Sequence, residues 1–286
     1  MNRREFIAMS GAAVLAPRTS LMQTDDVRLR RVCVSSWSFH TFFEIDRDNP
    51  AKVLMDVRDF PGMVADQYHV HNVEIILPHF LSAEPSLVRE FKERLARAHS
   101  RLVNMPLDFG VLWNKPAISS TDAAERDAAI ALYKKGIDTA HALGSPSVRC
   151  DPGLVNLVDP AVTVDAYRQL AAYANAKGIK VVVENHGEIS RNPDVLTAIL
   201  KAAGVGALPD FGNFPDEATR ERGLRALFPL AGEVAHAKLR EGQDFARCMR
   251  IAAESGFKGV FSIEAGGPGD PYAEVQTIVD ALVGNL

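Results

Sequence analysis

Short apolar runs rich in β-branched residues alternate with helix-length segments eight times along this chain of 286 residues. Runs of this kind are typical of parallel strands that are covered on both faces. Because the alternations follow one another without a break in composition, the sequence predicts a single (β/α)8 barrel, the TIM-barrel class of α/β fold. The predicted strands are Arg31–Ser36, Val73–Leu77, Leu102–Met105, Ser147–Cys150, Ile179–Glu184, Val205–Pro209, Glu233–Leu239 and Lys258–Glu264.

The segments between these strands carry helix signals. The predicted helices are Ala51–Tyr68, Pro85–Ser100, Asp122–Leu143, Ala161–Lys177, Pro193–Ala203, Glu217–Leu227, Gln243–Glu254 and Tyr272–Leu282. Gly144, Gly178 and Gly204 follow three of them, as helix stop signals do. Two long connections, Asp108–Thr121 and Asp151–Pro160, lie after strands and are candidates for a substrate lid.

The first residues have the order of a twin-arginine export signal. Arg3 and Arg4 precede a short apolar stretch over residues 9–16, and the alternative is a disordered basic N-terminus. That stretch is shorter than the roughly 20 residues that a membrane-spanning helix needs. We therefore expect residues 1–24 to be a signal peptide with a short linker. Residues 25–286 are then a catalytic domain that is periplasmic or extracellular and carries no membrane anchor.

Charge and cysteine spacing argue against a nucleic-acid partner and against a metal site formed by cysteines. The formal net charge is −4, and no basic cluster suggests a nucleic-acid partner. Cys33, Cys150 and Cys248 have no metal-type spacing, and two of them lie within apolar strand-like runs. We therefore expect buried free thiols rather than a disulfide.

In four of the predicted strands the apolar run is followed by a potential metal ligand. The residues are Glu184, Asp210, His236 and Glu264, from the fifth to the eighth strand. In a parallel barrel the carboxyl ends of the strands meet on one face, so the four side chains are expected to share one pocket. Each alone is commonly a solvated carboxylate or a core histidine, but the joint pattern indicates a site for one divalent cation.

Further polar and aromatic residues lie near the same strand ends. His186 and Lys238 share strand faces with Glu184 and His236, because side chains alternate along a strand. His186 is a candidate for proton transfer, whereas Lys238 is either a substrate ligand or a solvated lysine. The other candidate substrate-binding residues are Arg149, Trp37 and His79, with core packing as the alternative for Trp37.

Four motifs resemble the sugar phosphate isomerase/epimerase family of xylose isomerase-like barrels. The motifs are Val-Val-Glu184-Asn-His186-Gly, Pro-Asp210-Phe-Gly-Asn213-Phe, His236-Ala-Lys238 and Ser-Ile-Glu264-Ala. The resemblance implies a divalent metal, Mn²⁺ first and Mg²⁺, Co²⁺ or Zn²⁺ as alternatives, bound by Glu184, Asp210, His236 and Glu264. Ketose 3-epimerases of this family carry a histidine three residues after the aspartate, where this chain has Asn213. Related exported members act on 3-keto sugars and glycosides.

A site of this kind supports proton transfer at carbon. A cation that chelates a hydroxyl and the neighbouring carbonyl oxygen stabilises the enediolate formed when the intervening carbon loses its proton. Glu184 and Glu264 are then the predicted base and acid, and His186 is the alternative group for proton transfer. We therefore expect an isomerase, an epimerase or a lyase on keto sugars or 3-keto glycosides.

Two other functions remain open. An apurinic endonuclease-like metal hydrolase would use the same barrel, and an exported sugar-binding protein would keep the pocket without catalysis. A small carbohydrate is the expected partner, and a homo-oligomer is possible in principle. Export disfavours phosphorylated sugars, and the only glycine-rich run after the last strand is the weak Gly266-Gly267-Pro-Gly269.

Overall fold

A computed structural model describes residues 27–43, 53–80, 83–110, 117–153, 160–187 and 190–286 of the chain. Within these ranges eight parallel strands form one sheet in the order β6-β5-β4-β3-β2-β1-β8-β7. The strands are β1 (Val32–Ser35), β2 (Asn72–Glu74), β3 (Arg101–Pro106), β4 (Ser147–Arg149), β5 (Lys180–Glu184), β6 (Gly206–Leu208), β7 (Val234–Ala237) and β8 (Val260–Ile263). The predicted TIM barrel is confirmed.

The two outer strands of this order, β6 and β7, close the barrel. Parallel bridges join Ala207 to Ala231 and Asp210 to His236. The amide of His236 donates to Pro209 O at 2.8 Å, and that of Phe211 donates to His236 O at 3.1 Å. These bonds bring the ends of β6 and β7, which carry two of the predicted metal ligands, side by side.

Helices alternate with the strands. Those of nine residues or more in the described ranges are α1 (Phe60–Tyr68), α2 (Pro85–Arg97), α3 (Ala123–Leu143), α4 (Pro160–Asn175), α5 (Pro193–Ala203), α6 (Glu217–Leu227), α7 (Phe245–Glu254) and α8 (Pro271–Asn285). Gly144 and Gly204 end α3 and α5 with positive φ angles of 85° and 71°, the conformation for which glycine is suited. Short helical turns cover Ser36–Phe39 and His40–Phe43 after β1.

The first predicted helix is wrong at its start. Residues 53–56 are irregular, and the helix α1 begins only at Phe60, after a 3₁₀ turn over Val57–Asp59. The amides of Leu54 and Met55 donate to Phe42 O, which ties this segment to the turn after β1 instead of to a helix. Residues 51–52 lie outside the described residues.

Two apolar layers hold the barrel together. Between the sheet and the helices lies the larger core, which includes Phe39, Phe91 and Tyr167. Inside the barrel a smaller cluster is formed by Cys33, Val103, Val182, Leu208, Val234 and Val260. Polar side chains lie inside the barrel nearer the carboxyl ends of the strands. The interior is therefore apolar toward the amino ends of the strands and polar toward their carboxyl ends.

Several sequence predictions can be compared directly with this structure. All three cysteines are free and buried, as predicted. Among the described residues no helix is long and apolar enough to cross a membrane. The signal peptide predicted for residues 1–24 lies outside the described residues, and so do residues 111–116 and 154–159 of the two predicted lid segments.

Candidate metal centre

Strand alternation explains why the four predicted ligands point into the barrel. Each lies two or four residues after an apolar residue that faces the barrel interior, and even spacing keeps a side chain on the same strand face. The pairs are Val182 with Glu184, Leu208 with Asp210, Val234 with His236, and Val260 with Glu264. The apolar layer therefore forms the floor beneath the ligands.

The four ligand-type side chains meet in one buried cluster. His236 Nδ1 lies 3.2 Å from Glu184 Oε1, 3.4 Å from Glu264 Oε1 and 3.7 Å from Asp210 Oδ2. One ligand atom of each residue lies within 4.8 Å of the others. Three of the side chains are fully buried and Glu264 is 5% exposed. The structure thus brings together the set that the sequence predicts.

Two atoms of this cluster show that its residues fit a cation. Asp210 Oδ2 and His236 Nδ1 are buried and have no hydrogen-bond partner among the described residues. Buried polar atoms are nearly always satisfied, so these two atoms, 3.7 Å apart, are available to a bound cation. Three carboxylates and one imidazole suit a divalent cation such as Mg²⁺, Mn²⁺, Co²⁺ or Zn²⁺.

The backbone around Asp210 fixes the carboxylate in this orientation. The amides of Gly212 and Asn213 donate to Asp210 Oδ1 at 2.6 and 2.8 Å. Asn185, next to Glu184, accepts from the Asp210 amide at 2.7 Å and donates to its carbonyl at 3.0 Å. Because Oδ1 is satisfied by backbone donors, Oδ2 is left for the centre.

Glu74, in β2, is a member of the site that the sequence analysis missed. This fully buried carboxylate lies 3.1 Å from His236 Nε2 through Oε1, and Asn104 Nδ2 donates to its Oε2 at 2.8 Å. Ser262 Oγ donates to Oε1 at 3.3 Å. The sequence contained a sign of this role, because Glu74 is a carboxylate between the apolar residues of a predicted strand. Its position in that strand places the side chain inside the barrel.

Lys238 and Asn213 complete the side of the cluster that faces the loops. Lys238 Nζ lies 2.8 Å from Glu264 Oε2 and 2.9 Å from Asp210 Oδ2, the latter an ion pair without hydrogen-bond geometry. Asn213 accepts from Lys238 Nζ at 3.2 Å and donates to Glu184 Oε1 at 2.8 Å. Asn213, three residues after Asp210, therefore links Glu184 to Lys238 through its side-chain amide. Binding of substrate by Lys238 stays a prediction.

A second polar cluster lies beside the first around Arg149, at the end of β4. The guanidinium donates to the carboxylates of Asp108 and Glu184 and lies 3.6 Å from Asp151 Oδ2. His186 Nδ1 lies 3.1 Å from the same Asp151 oxygen. Arg149 is 4% exposed, and its predicted contact with substrate stays a prediction. The sequence analysis missed Asp108 and Asp151 as site residues.

The charges of the two clusters shift the titration of their members. Burial disfavours the ionised form of Glu184, but Arg149, His236 and Lys238 outweigh it and hold the pKa of Glu184 well below its ordinary value. Burial also disfavours a charged His236, yet Glu264, Glu74 and Glu184 raise its pKa well above the ordinary value. The carboxylates that attract a proton to this ring also attract a cation.

The pKa values of Asp108, His186 and Asp210 are all raised above their ordinary values. Burial raises the pKa of Asp108 to about 6 despite the neighbouring Arg149. Burial lowers the pKa of His186, but its hydrogen bond to Asp151 overcomes this and raises the value to about 9. The pKa of Asp210 is raised, first by burial.

The predicted substrate-binding residues of the first two strands have different surroundings. Trp37 is 37% exposed, and its ring stacks on that of His40 with centroids 4.5 Å apart. This exposed face suits the predicted sugar platform, which stays a prediction. His79 Nδ1 lies 2.9 Å from Ser36 Oγ, and its ring lies 4.7 Å from that of Phe43. His79 therefore has structural contacts as well as a predicted role.

Comparison with known proteins agrees with the barrel fold. A family model described as a xylose isomerase-like TIM barrel matches residues 65–282. No curated protein matches the sequence significantly.

Solved structures share the fold at low sequence identity. D-allulose 3-epimerase from Methylomonas sp. is 17% identical with a TM-score of 0.69, covering 90% of this chain and 98% of its own. D-psicose 3-epimerase from Clostridium cellulolyticum H10, solved with D-tagatose, is 14% identical with a TM-score of 0.64, covering 88% and 95%. A xylose isomerase-like TIM barrel protein from Mycobacterium smegmatis, in complex with magnesium, is 16% identical with a TM-score of 0.63, covering 89% and 97%.

Proposed function

Because the chain belongs to the xylose isomerase-like TIM-barrel family, we propose that it is a divalent-metal-dependent enzyme acting on a carbohydrate. The reaction is an isomerisation, an epimerisation, or elimination from a keto sugar or 3-keto glycoside. The observation that carries the proposal is the cluster of Glu184, Asp210, His236 and Glu264, whose ligand atoms converge within 4.8 Å. Neighbouring structures named as ketose 3-epimerases support the same reaction class.

The proposed centre holds one cation, Mn²⁺ first and Mg²⁺, Co²⁺ or Zn²⁺ as alternatives. Glu184, Asp210, His236 and Glu264 would bind it. When bound, the cation supplies Lewis-acid stabilisation of negative charge on neighbouring substrate oxygens.

Side chains of the pocket would transfer the proton and bind the sugar. Glu184 Oε2 is held by Arg149 and Oε1 by Asn213, so this carboxylate stays ionised and is a weak base. Glu264 contacts Lys238 and His236, and we propose it as the group that takes the proton from the carbon beside the carbonyl. His186, hydrogen-bonded to Asp151, is the proposed partner in proton transfer, and Trp37 and His79 line the proposed sugar site together with Lys238 and Arg149.

The loop after β8 favours a substrate without a phosphate. In many TIM barrels the loops after the last strands bind phosphate through backbone amides. Here the amides of Gly266 and Gly267 donate to Glu274 Oε1 at 3.1 and 3.0 Å. Because a carboxylate of α8 already occupies these donors, a phosphate would meet negative charge. An unphosphorylated sugar is also consistent with the proposed periplasmic or extracellular location.

Metal content and proton exchange test the proposal together. Elemental analysis of the purified chain should find a divalent ion, and Asp210→Ala should lose it while the barrel stays folded. Ketoses and 3-keto glycosides are then screened with and without a chelator in deuterated water. We expect deuterium uptake at the carbon beside the carbonyl, lost with chelator and suppressed by Glu264→Gln, because an amide cannot take a proton.

The outcomes separate the alternatives. A folded Asp210→Ala chain with its full metal content would show that the ligand set is wrong. Turnover without proton movement at carbon would indicate a metal-dependent hydrolase of the apurinic endonuclease type. Sugar binding with neither metal nor turnover would indicate a binding protein.

A further inference from the structure

Arg149 is a buried cation surrounded by carboxylates. Its side chain is 4% exposed, and its guanidinium contacts Asp108, Glu184 and Asp151. Several carboxylates that converge on one buried point need a positive charge there, either a side chain or a metal ion. At this point of the fold the side chain supplies it.

The residues around this guanidinium include a second set of metal-ligand type. Asp151, Glu184 and His186 each offer a ligand atom, and these atoms lie within 4.8 Å of one another. Asp151 Oδ2 lies 3.1 Å from His186 Nδ1, while Asp151 Oδ1 is buried without a hydrogen-bond partner among the described residues. Asp151 lies two residues after β4, Glu184 ends β5, and His186 lies two residues after β5.

Glu184 belongs to both sets, and its two oxygens have different partners. Its Oε1 lies 3.2 Å from His236 Nδ1 on the side of the proposed cation, and its Oε2 accepts from Arg149 Nη1. A carboxylate shared in this way is how centres with two metal ions a few ångströms apart are commonly bridged. The guanidinium therefore stands where a second, bridged cation would bind.

We propose that Arg149 takes the place of a second metal ion, and that its removal opens Asp151, Glu184 and His186 to a second divalent cation. The inference rests on the proposed function, because it takes the first cation as given. A guanidinium keeps its proton and has no coordination site for water. It therefore cannot generate the metal-bound hydroxide that two-metal hydrolases use. Arg149 thus disfavours a two-metal hydrolysis on this barrel and leaves the first cation for proton transfer at carbon.

Metal stoichiometry tests this role directly. The full chain, first dialysed against chelator, is titrated with Mn²⁺ by calorimetry, and bound metal is counted by elemental analysis. The wild type should bind one ion per chain even in excess Mn²⁺. Arg149→Gln should bind two, and electron paramagnetic resonance should show a spin-coupled manganese pair. Adding His186→Leu to Arg149→Gln should remove the second ion and leave the first.

Two further variants guard against a folding artefact. Arg149→Gln combined with Asp108→Asn removes one positive and one negative charge, so the cluster keeps its net charge and all three candidate ligands. The matched control is Arg31→Gln, whose guanidinium donates to the carbonyls of Phe257 and Gly259 before β8, away from the ligands. This control should bind one ion.

Each result has a distinct meaning. A wild-type chain that binds two coupled ions would overturn the role of Arg149. Folded chains with Arg149→Gln alone or with Arg149→Gln and Asp108→Asn that bind only one ion would overturn it as well. A wild-type chain that binds none would contradict the proposed metal-dependent function itself. One ion in the wild type, two in Arg149→Gln with or without Asp108→Asn, and one again after addition of His186→Leu would support the inference.

Discussion

Glu74 Oε1 lies 3.1 Å from His236 Nε2, so the other ring nitrogen, Nδ1, faces Glu184, Asp210 and Glu264. A carboxylate behind a metal-binding histidine fixes the ring and makes its nitrogen a better ligand. Asn104 and Ser262 hold the carboxylate of Glu74 in turn. The orientation of His236 is thus set from the opposite side of the barrel.

Replacing this carboxylate with an amide should weaken the metal centre without changing its ligands. We expect Glu74→Gln to lower Mn²⁺ affinity by about 10- to 100-fold, because the amide is a poorer partner for the imidazole N–H. Calorimetric titration measures the affinity. Glu233→Gln is the control, since Glu233 is 65% exposed and pairs only with Lys180 among the described residues. Equal affinities in all three chains would mean that Glu74 does not position His236.

His79 should make the fold sensitive to mild acid. Burial, and to a smaller extent His40, lowers its pKa from 6.5 to about 4. Between these values the unfolded chain binds a proton that the folded chain does not, so stability falls as the pH falls. The full loss is about 3 kcal/mol once the pH is below 4. Denaturant unfolding of wild type and His79→Gln from pH 7 to 4 measures the difference. A gap between the two chains that does not change with pH would contradict this prediction.

Alanine substitutions at two helix glycines should change the stability of the fold in opposite directions. A Cβ at Gly223 in α6 would lie 2.3 Å from the ring of Phe214, which is 4% exposed, whereas at Gly62 in α1 it would meet nothing within 4 Å. We expect Gly223→Ala to lose about 1–3 kcal/mol of stability through overpacking. Gly62→Ala should gain about 0.4–1 kcal/mol, because alanine restricts the unfolded chain. Urea unfolding measures both, and destabilisation by Gly62→Ala would refute the pairing.

Export through the twin-arginine route remains a proposal about residues outside the described part of the chain. Changing Arg3 and Arg4 to lysine should leave the protein in the cytoplasm, because the pair is the feature by which the route is identified. Fractionation of cells that express each chain measures the periplasmic share. Unchanged export of the lysine variant would indicate another route or none.

The order of strands and helices was predictable because it depends on local patterns. Asn192 begins α5, because its side chain accepts from the amides of Asp194 and Val195, and Gly204 ends it. Both ends lie where the sequence predicts. The start of α1 was not predictable in this way. Phe42 O binds the amides of Leu54 and Met55, and that contact is made by the folded chain rather than by the local sequence.

The sequence by itself determined the barrel and the convergence of Glu184, Asp210, His236 and Glu264. Strand alternation decides which side chains face inward, and parallel strands end on one face. Only the tertiary structure decided what lies behind and beside these ligands. Glu74 contacts His236 across 162 residues of sequence, and Arg149 joins Asp108 to Glu184 across three strands. Strand periodicity gives the face on which each side chain lies but not its partner. The contact of Glu74 with His236 depends on barrel closure, whereas the contacts of Arg149 join the ends of three neighbouring strands. Both lie in a buried interior where charges must be paired.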